Sequence, residues 1–494
     1  MTRRLRRRLK FLIIAVICGS AVYMIHSWFQ EDDQPAEEIH IVTRKSLDPS
    51  LTVVLQDFDP FHNDVYNTVS YIAKNFTAVN VIVITEKLPY PPMKIPKLPN
   101  VKLLVMKNDV KKTLNDSRPE YHINTNFVLF VPDGAIVDDY FMRKFKYFVA
   151  KYDYMKYEGY AIPLRGTTLK CHGIVFSVKT WTLEIGRQIQ LTKCGYVSGD
   201  HGILLRTKHL YELSNPFLTP TFMSIYIQLS LIYFKAVILD DLYLISTNNV
   251  KPDAQTIWSK NRHYSQKLKN LYSELGVKLV LHENKREEWY GCHKDSFRCF
   301  DTVYNDMPEF LYQGRWTPPC CLKNLRETAK HVFAILDQNK VRYWLEGGSL
   351  LGAARSGDII PWDYDIDIGI YQEDIIKCDQ LRKVAKEGFI DEEGFSWEKA
   401  IEGDFYRVQF SDTNHLHVDI FPFYPKNGIM TKNTWIKAHK QDTEFPERFL
   451  KPLSRIKFAG LSASAPNHVR EFLEYKFGRG VIESPKYPNT EVAG

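Results

Sequence analysis

A charge-free apolar run near the N-terminus places the first constraint on this chain. Residues 11–29 contain no Asp, Glu, Lys or Arg, and six basic residues precede them within the first ten positions. A helix needs about 20 apolar residues to span a bilayer, and flanking basic residues stay on the cytoplasmic side. The pattern predicts a cytosolic tail over 1–10, a transmembrane anchor over 11–29 and a lumenal remainder. The alternative is a cleaved signal peptide, but no clear cleavage site precedes Gln30.

The basic tail also explains most of the formal net charge of +7, because the rest of the chain is close to neutral. A nucleic-acid-binding surface is therefore not expected. Residues 30–50 are polar and contain two prolines, which is typical of a short stalk. The 494 residues exceed one ordinary core and predict two further domains. We place them at 51–285 and 286–494, where aromatic residues and cysteines become more frequent.

The first of these domains has the pattern of an α/β fold. Helical spacing over Asn67–Ala73 lies between two short β-branched runs, which predicts a mainly parallel sheet flanked by helices. Asp133 follows a predicted strand as in nucleotide-sugar glycosyltransferases, but it stands alone there without an Asp-x-Asp, and an ordinary loop is the simpler interpretation. We expect a glycosyltransferase-like stem domain without catalysis. The predicted strands are Thr52–Leu55, Val79–Ile84, Val101–Val105, Phe127–Val131 and Ala236–Leu239.

Cysteines form two groups outside the anchor. Cys171 and Cys194 lie in the stem and are predicted to form a disulfide, which a lumenal location permits. Two adjacent thiols in the second group are difficult to pair separately, so one zinc ion held by four thiolates competes with two disulfides as an interpretation. The members of that second group are Cys292, Cys299, Cys320 and Cys321. Glycosylation sequons begin at Asn75 and Asn115.

Alternating carboxylates give the strongest chemical signal. Asp365 and Asp367 alternate with isoleucines, so on a strand both carboxylates project from one face. Neighbouring carboxylates repel unless a cation lies between them, and Mg²⁺ accepts one or two carboxylates plus substrate phosphates. Asp419 lies in a second alternating run and is predicted to complete the site. Asp363 either shares the strand face or orients a ligand, and His417 is interpreted as a packing residue.

A glycine-rich turn precedes these carboxylates. Gly347, Gly348 and Ser349 stand before a segment that can begin a helix. Glycines permit close backbone approach to a ligand, and a helix N-terminus binds phosphate. The turn is therefore predicted to bind a phosphate of the substrate.

Several motifs together resemble a known family. The glycine turn, the carboxylate pair and the later strand aspartate resemble the nucleotidyltransferase superfamily, and GGSLLGAAR with DIIPWDYDID is similar to the LicD-type phosphotransferases. RWTPPCCL, EGDFYRVQF and HLHVDIFPFYPKNGIMTK resemble the fukutin-related family within that group. This resemblance runs from the anchor to the C-terminus and is strongest from Trp289 onward.

The resemblance implies transfer of ribitol 5-phosphate from CDP-ribitol to the ribitol-phosphate-bearing O-mannosyl glycan of α-dystroglycan, with release of CMP. It implies a Golgi membrane enzyme with a lumenal catalytic domain, and a homo-oligomer. The alternatives are a phosphocholine-type transferase that uses another CDP donor, and a non-catalytic lumenal scaffold. The expected fold class is α/β, with an N-terminal transmembrane helix, a glycosyltransferase-like stem and a nucleotidyltransferase-like α+β catalytic domain with a zinc loop.

The resemblance also implies roles for individual residues. Asp365, Asp367 and Asp419 would hold Mg²⁺ or Mn²⁺, and Asp419 would accept the proton of the acceptor hydroxyl. The glycine turn would bind the phosphate of CDP-ribitol, and Arg355 would neutralise charge on the leaving CMP. Zinc is implied on the four-cysteine loop.

Overall fold

The computed structural model describes residues 50–487 apart from several short segments. The predicted tail, anchor and nearly all of the stalk lie outside the described residues, as does Asn115. Within the described residues, no helix is long and apolar enough to cross a membrane. The segments not described are 61, 89, 91, 107–110, 114–117, 152–157, 189–192, 247–252, 299, 301–302, 305–306 and 437–438.

The N-terminal half contains strands, four α-helices and two single-turn 3₁₀ helices among its described residues. The strands are β1 (Leu51–Leu55), β2 (Asn80–Thr85), β3 (Val101–Val105), β4 (Phe127–Val131), β5 (Ala135–Ile136), β6 (Glu158–Pro163), β7 (Lys170–Ser177), β8 (Thr182–Gln188), β9 (Lys193–Cys194), β10 (Tyr196–Ser198), β11 (His201–Arg206), β12 (Lys235–Ile238), β13 (Ile245–Ser246), β14 (Leu279–His282) and β15 (Glu287–Trp289). The α-helices are α1 (Val65–Asn75), α2 (Asp139–Lys151), α3 (Thr221–Leu231) and α4 (Ala254–Glu274), and the 3₁₀ helices are Pro119–His122 and Thr207–Leu210.

These strands form a large mixed sheet and a smaller second sheet. The large sheet has the order β3-β2-β1-β4-β11-β6-β12-β9, and the second has the order β10-β7-β8-β14-β15. All five predicted strands are present, and β3, β2, β1 and β4 run parallel as expected. The expectation of a mainly parallel sheet is only half right, because β11 is antiparallel to both β4 and β6. The chain enters β11 from β10 through the turn at Gly199 and not through a crossover helix, so it reverses direction.

The predicted cysteine pair of the stem lies where the two sheets meet. Cys171 on β7 and Cys194 on β9 are both buried, and their Sγ atoms are 2.07 Å apart. The pair therefore links the second sheet to an edge strand of the large sheet.

The C-terminal half is built around one further sheet. Its main strand order is β18-β19-β23-β22-β21-β20, with β19 and β23 parallel. The strands are β16 (Val303–Tyr304), β17 (Met307–Pro308), β18 (Tyr343–Leu345), β19 (Ile366–Tyr371), β20 (Phe389–Ile390), β21 (Ser396–Lys399), β22 (Tyr406–Gln409), β23 (His417–Lys426), β24 (Ile429–Thr431), β25 (Phe445–Pro446), β26 (Ser454–Phe458) and β27 (Leu461–Ala465). The helices are α5 (Glu309–Tyr312), α6 (Pro319–Gln338), α7 (Gly347–Ser356), α8 (Asp379–Val384) and α9 (Val469–Phe477), with 3₁₀ turns at Gln372–Lys377 and Glu447–Leu450.

The domain boundary near residue 286 stays a prediction. β15 still pairs with β14 of the stem, whereas the buried core of the C-terminal half begins at Cys292. Trp181 of the stem donates a hydrogen bond from Nε1 to the carbonyl of Trp316, at 2.8 Å. The backbone N–H of Trp316 in turn donates to the carbonyl of Lys179. The two halves therefore belong to one compact unit.

Candidate active site

Two parallel neighbouring strands bring the predicted carboxylates together. Asp367 on β19 lies directly opposite Asp419 on β23 in the strand register. Asp365 immediately precedes β19, and the interleaved Ile366 and Ile368 are fully buried. Because side chains alternate along a strand, the predicted arrangement of acids on one face and isoleucines in the core is present.

The glycine turn fixes the backbone of Asp367. The Asp367 N–H donates to Ser349 Oγ at 2.9 Å, and the Glu346 N–H donates to the Asp367 carbonyl at 3.0 Å. Ser349 is nearly fully buried. Its hydroxyl therefore positions the carboxylate strand, and its contact with a phosphate stays a prediction.

The two glycines permit helix α7 to begin against the carboxylates. Gly347 has a φ of +52°, which is costly for residues with a side chain. A Cβ atom at Gly348 would lie 2.8 Å from Asp363 Oδ2, and one at Gly347 would lie 3.5 Å from Asp367 Oδ2. The helix N-terminus, with its partial positive charge, thus faces the acidic groups.

Crowding of these acids changes their protonation. Burial first, and then the charge of Asp365 and a hydrogen bond to it, raise the pKa of Asp363 well above its usual range. Burial followed by the charges of Asp365 and Asp419 raises the pKa of Asp367 in the same direction. Burial also raises the pKa of Asp365 itself. Without a cation, the cluster therefore retains protons that isolated aspartates would lose.

Asp363, Asp365 and Asp367 line a cavity of about 220 Å³, whereas Asp419 lies beside Asp367 and is not among the lining residues. Lys432, His439, Gln441 and the aromatic ring of Phe421 are among its other lining groups. The balance of charged side chains is strongly acidic, so the cavity repels an anionic substrate unless cations are added. The acidic lining residues are Glu346, Asp363, Asp365, Asp367 and Asp442.

Asp419 has a partner that sequence reasoning underestimated. Arg407 on β22 lies opposite Asp419 and donates to both of its carboxylate oxygens, at 2.9 and 3.0 Å. Asp419 is buried, and the Arg407 side chain is only 18% exposed. A bidentate guanidinium–carboxylate pair is held strongly, so Arg407 fixes the orientation of Asp419.

Lys432 was not predicted as a site residue. It follows β24 directly, and its Nζ lies 2.9 Å from Asp442 Oδ1 and 4.0 Å from the centroid of the Phe421 ring. A turn motif in the sequence explains how Lys432 reaches the cavity. Asn427-Gly428, both with positive φ, form the two-residue turn between β23 and β24, and this dipeptide is typical of hairpins. The hairpin returns the chain toward the carboxylate strands and places a buried cation at the cavity.

Comparison with known proteins identifies the family to which the carboxylate cluster belongs. Residues 340–468 match the sequence model of the LicD/FKTN/FKRP nucleotidyltransferase domain, and residues 38–283 match that of the fukutin-related protein stem domain. A curated relative from Mus musculus, named ribitol 5-phosphate transferase FKRP, is 42% identical over 98% of both chains. The chain belongs to the fukutin-related protein family. The Homo sapiens protein of the same name is also 42% identical, again over 98% of both chains.

One solved structure shows a weaker likeness. The mannosyltransferase PcManGT from Pyrobaculum calidifontis, solved with GDP-Man and Mn²⁺, is 13% identical with a TM-score of 0.27. The match covers 46% of this chain and 64% of that one. A score this low carries no argument about the fukutin-related chain.

Arg355 lies away from the cavity in this member of the fukutin-related family. It occupies the last turn of α7, whereas the carboxylates face the first turn. Its Nε donates to the carbonyl of Ile482 at 3.2 Å, and its Nη2 donates to that of Val481 at 2.6 Å. These bonds use Arg355 to hold the C-terminal segment, and its contact to the leaving group stays a prediction.

The four-cysteine loop is only partly described. Cys292 and Cys320 lie at disulfide distance, with Cα atoms 5.7 Å apart. Cys299 lies outside the described residues. Among the residues that are described, no group of three or more His, Cys, Asp or Glu side chains is already arranged as a metal site.

Proposed function

We propose that this chain transfers ribitol 5-phosphate from CDP-ribitol to the ribitol-phosphate-bearing O-mannosyl glycan of α-dystroglycan, with release of CMP. The observation that carries this proposal is the carboxylate cluster on β19 and β23, in a chain 42% identical to ribitol 5-phosphate transferases along almost its whole length. The acceptor hydroxyl oxygen would bond to the phosphorus of ribitol 5-phosphate, the bond to the bridging oxygen would break, and CMP would carry that oxygen away.

A divalent cation fits the chemistry of the cavity. CDP-ribitol is anionic, and among the described residues five carboxylates and one lysine line the cavity. We propose that Asp365, Asp367 and Asp419 hold Mg²⁺ or Mn²⁺, which suits oxygen ligands of this kind. Asp419 can do so while paired to Arg407, because a carboxylate has about four lone-pair positions. The ion would supply positive charge to the diphosphate.

Other residues of the chain would position the carboxylates, bind the phosphates and accept the proton of the acceptor hydroxyl. Ser349 and Glu346 hold the backbone of Asp367, and the glycines leave room for a phosphate beside α7. Lys432 would add a second positive charge close to the diphosphate. Asp419 is poorly suited to accept the acceptor proton, because Arg407 engages both of its oxygens. Asp363 lines the cavity and is the better candidate for that step.

A donor panel tests the proposed reaction. Detergent-solubilised full-length protein is incubated with CDP-ribitol, CDP-choline or CDP-glycerol and the glycan acceptor, with and without EDTA. We expect CMP release and product formation with CDP-ribitol alone, and loss of both in EDTA. Preference for CDP-choline would support the phosphocholine-type alternative, and no turnover of any donor would support the non-catalytic scaffold.

Metal activation should depend on pH in a defined direction. The pKa values of Asp363 and Asp367 are raised in the ion-free protein, so protons compete with the cation as the pH falls. The Mg²⁺ concentration for half-maximal CMP release should rise as the pH is lowered, by up to about tenfold per unit for each displaced proton. A half-maximal concentration that stays constant as the pH is lowered would contradict the assignment.

We also propose one structural zinc ion on Cys292, Cys299, Cys320 and Cys321. The short distance between Cys292 and Cys320 is compatible with two ligands of one ion as well as with a disulfide. Metal analysis of purified protein should give one zinc per chain, and Cys321→Ser should lower that content. A zinc-free, thiol-free loop would instead support two disulfides.

Location and assembly complete the proposal. The apolar run at 11–29 supports a single-pass Golgi membrane protein with a lumenal catalytic domain. Homo-oligomer formation is implied by the family resemblance and would be measured by light scattering in detergent.

A further inference from the structure

A second cavity lies in the stem, at the carboxyl ends of β1 and β4. Its volume is about 580 Å³, larger than the cavity beside the catalytic carboxylates. From β1 the sheet continues through β2 to β3 on one side and to β4 on the other, so the strand order reverses between β1 and β4. Open α/β sheets bind ligands in the crevice at such a reversal. Helix α4 forms the facing wall of this stem cavity.

A buried amide in the wall of the stem cavity has unused hydrogen-bonding capacity. Gln56 follows β1, is 6% exposed and donates from Nε2 to the carbonyl of Phe217 at 2.7 Å. Within the described part of the chain, its Oε1 has no hydrogen-bond partner. Buried polar atoms are usually paired, so an unpaired acceptor at a cavity wall indicates a ligand or water that donates a hydrogen bond.

Carboxylates in the same wall are held as fixed acceptors. Asp133 receives the backbone N–H of Asp64 at 3.0 Å to Oδ1 and 3.2 Å to Oδ2. Asp57 receives the N–H of Thr221 and lies 3.1 Å from Lys267 Nζ. Because these groups are oriented by the backbone and by an ion pair, they present lone pairs to the cavity at little further entropic cost.

The charges of the stem cavity disfavour an anionic ligand. Asp57, Asp59, Asp133 and Asp200 line it, against two lysines and one histidine. Lys267 is paired with Asp57, and the positive charge of Lys260 acts on Asp133. A phosphate or nucleotide would meet more negative than positive charge, with the lysines already engaged.

Aromatic surface supplies the apolar part of the wall. Phe58 and Phe222 line the cavity, and Tyr264 on α4 contributes a ring that is 46% exposed. Ligand pockets commonly combine such rings with a few fixed polar groups. The aromatic rings can pack against the apolar C–H face of a ligand. The excess of hydrogen-bond acceptors can bind a ligand that carries many hydroxyl donors.

We propose that the stem cavity binds a neutral saccharide unit of a glycan, with its hydroxyls donating to Gln56 and Asp133 and one face against the aromatic rings. This binding site lies in a different half of the chain from the catalytic carboxylates and is independent of the proposed transfer reaction. It gives the stem a glycan-holding role without catalysis.

Titration with uncharged sugars tests this site. Detergent-solubilised full-length protein is titrated with methyl glycosides of glucose, mannose, galactose and N-acetylglucosamine, followed by saturation-transfer NMR. Asn261→Trp places a bulky ring at an exposed, cavity-lining position of α4, and Lys269→Trp makes the same change at an exposed position of α4 that does not line the cavity. Asp133→Asn removes one charge from the wall with little change in shape.

Saturable millimolar binding of at least one glycoside is expected, weakened about tenfold or more in Asn261→Trp and unchanged in Lys269→Trp. Asp133→Asn should also weaken binding, and CMP release should be unchanged in Lys269→Trp. The proposal is overturned if no glycoside binds saturably, or if Asn261→Trp binds as the unmodified protein does. Competition by GDP or CDP at equal or lower concentration would identify a nucleotide site instead. Because the readout is binding, failure here would leave the transfer reaction intact, and failure of transfer would leave this result intact.

Discussion

Asp367→Asn is expected to lower the rate of CMP release by at least about a hundredfold, the scale for losing a central electrostatic group. The substitution keeps the shape of the side chain and the two backbone hydrogen bonds that fix this residue. It removes an ionisable group from a crowded acidic cluster, so the ion-free protein should remain folded with a thermal midpoint equal to or above that of the original. Divalent cation should raise the midpoint of the original protein and have little effect on the variant.

Asp412→Asn is the matched control for this change. Asp412 is exposed and lies on the loop between β22 and β23, so the same loss of charge occurs near the site without touching the cavity. It should retain activity and the thermal response to Mg²⁺. Near-normal turnover of Asp367→Asn would remove the metal-site hypothesis. Loss of folding in that variant would instead show that Asp367 is required for the strand pair.

The pattern of the acids was readable from the sequence because it depends on local geometry. Alternation of Asp365 and Asp367 with isoleucines predicted a strand with one acidic face, and β19 has that pattern. Strand pairing is not local, yet the second alternating run around Asp419 was enough to predict a neighbouring strand. The register that places Asp419 opposite Asp367 emerged only in the structure.

Partners that come from distant elements were less predictable. No local pattern marks Arg407, but cross-strand pairing places it on Asp419. Lys432 reaches the cavity only because the Asn427-Gly428 hairpin returns the chain. Arg355 was predicted to neutralise charge on the leaving CMP, together with the glycine turn at the phosphate. Helix geometry separates them, because a ten-residue helix carries its last turn about 12 Å from its first.

The glycine turn itself depends on a residue far along the chain. Glu346 precedes α7, and Lys476 of α9 forms an ion pair with its Oε1. Trp344 Nε1 donates to the other carboxylate oxygen at 2.7 Å. The side chains of Lys476 and Glu346 are 1% and 8% exposed, so neither charge is well solvated. The C-terminal helix therefore neutralises a carboxylate at the edge of an already acidic cavity.

Lys476→Met should consequently destabilise the protein by about 3–5 kcal/mol, because it leaves a buried carboxylate without its counter-charge. Methionine has a similar length and retains contact with the surrounding rings of Phe445 and Phe472. Thermal and urea unfolding of Lys476→Met and of the original protein would measure this loss of stability.

Two further variants separate the ion pair from simple loss of a lysine. Lys451→Met removes the pair with Glu447, in which the lysine side chain is 61% exposed, and should cost less than about 1 kcal/mol because ion pairs near solvent contribute little. Combining Glu346→Gln with Lys476→Met removes both buried charges and should recover part of the stability lost by Lys476→Met alone. If the combined variant were no more stable than Lys476→Met, packing of the lysine stem, and not charge, would account for the loss. If Lys476→Met unfolded at the original temperature, Glu346 would be protonated or hydrated without its partner. In the expected case, CMP release by the combined variant would then show whether the charge of Glu346 serves the cavity or only the fold.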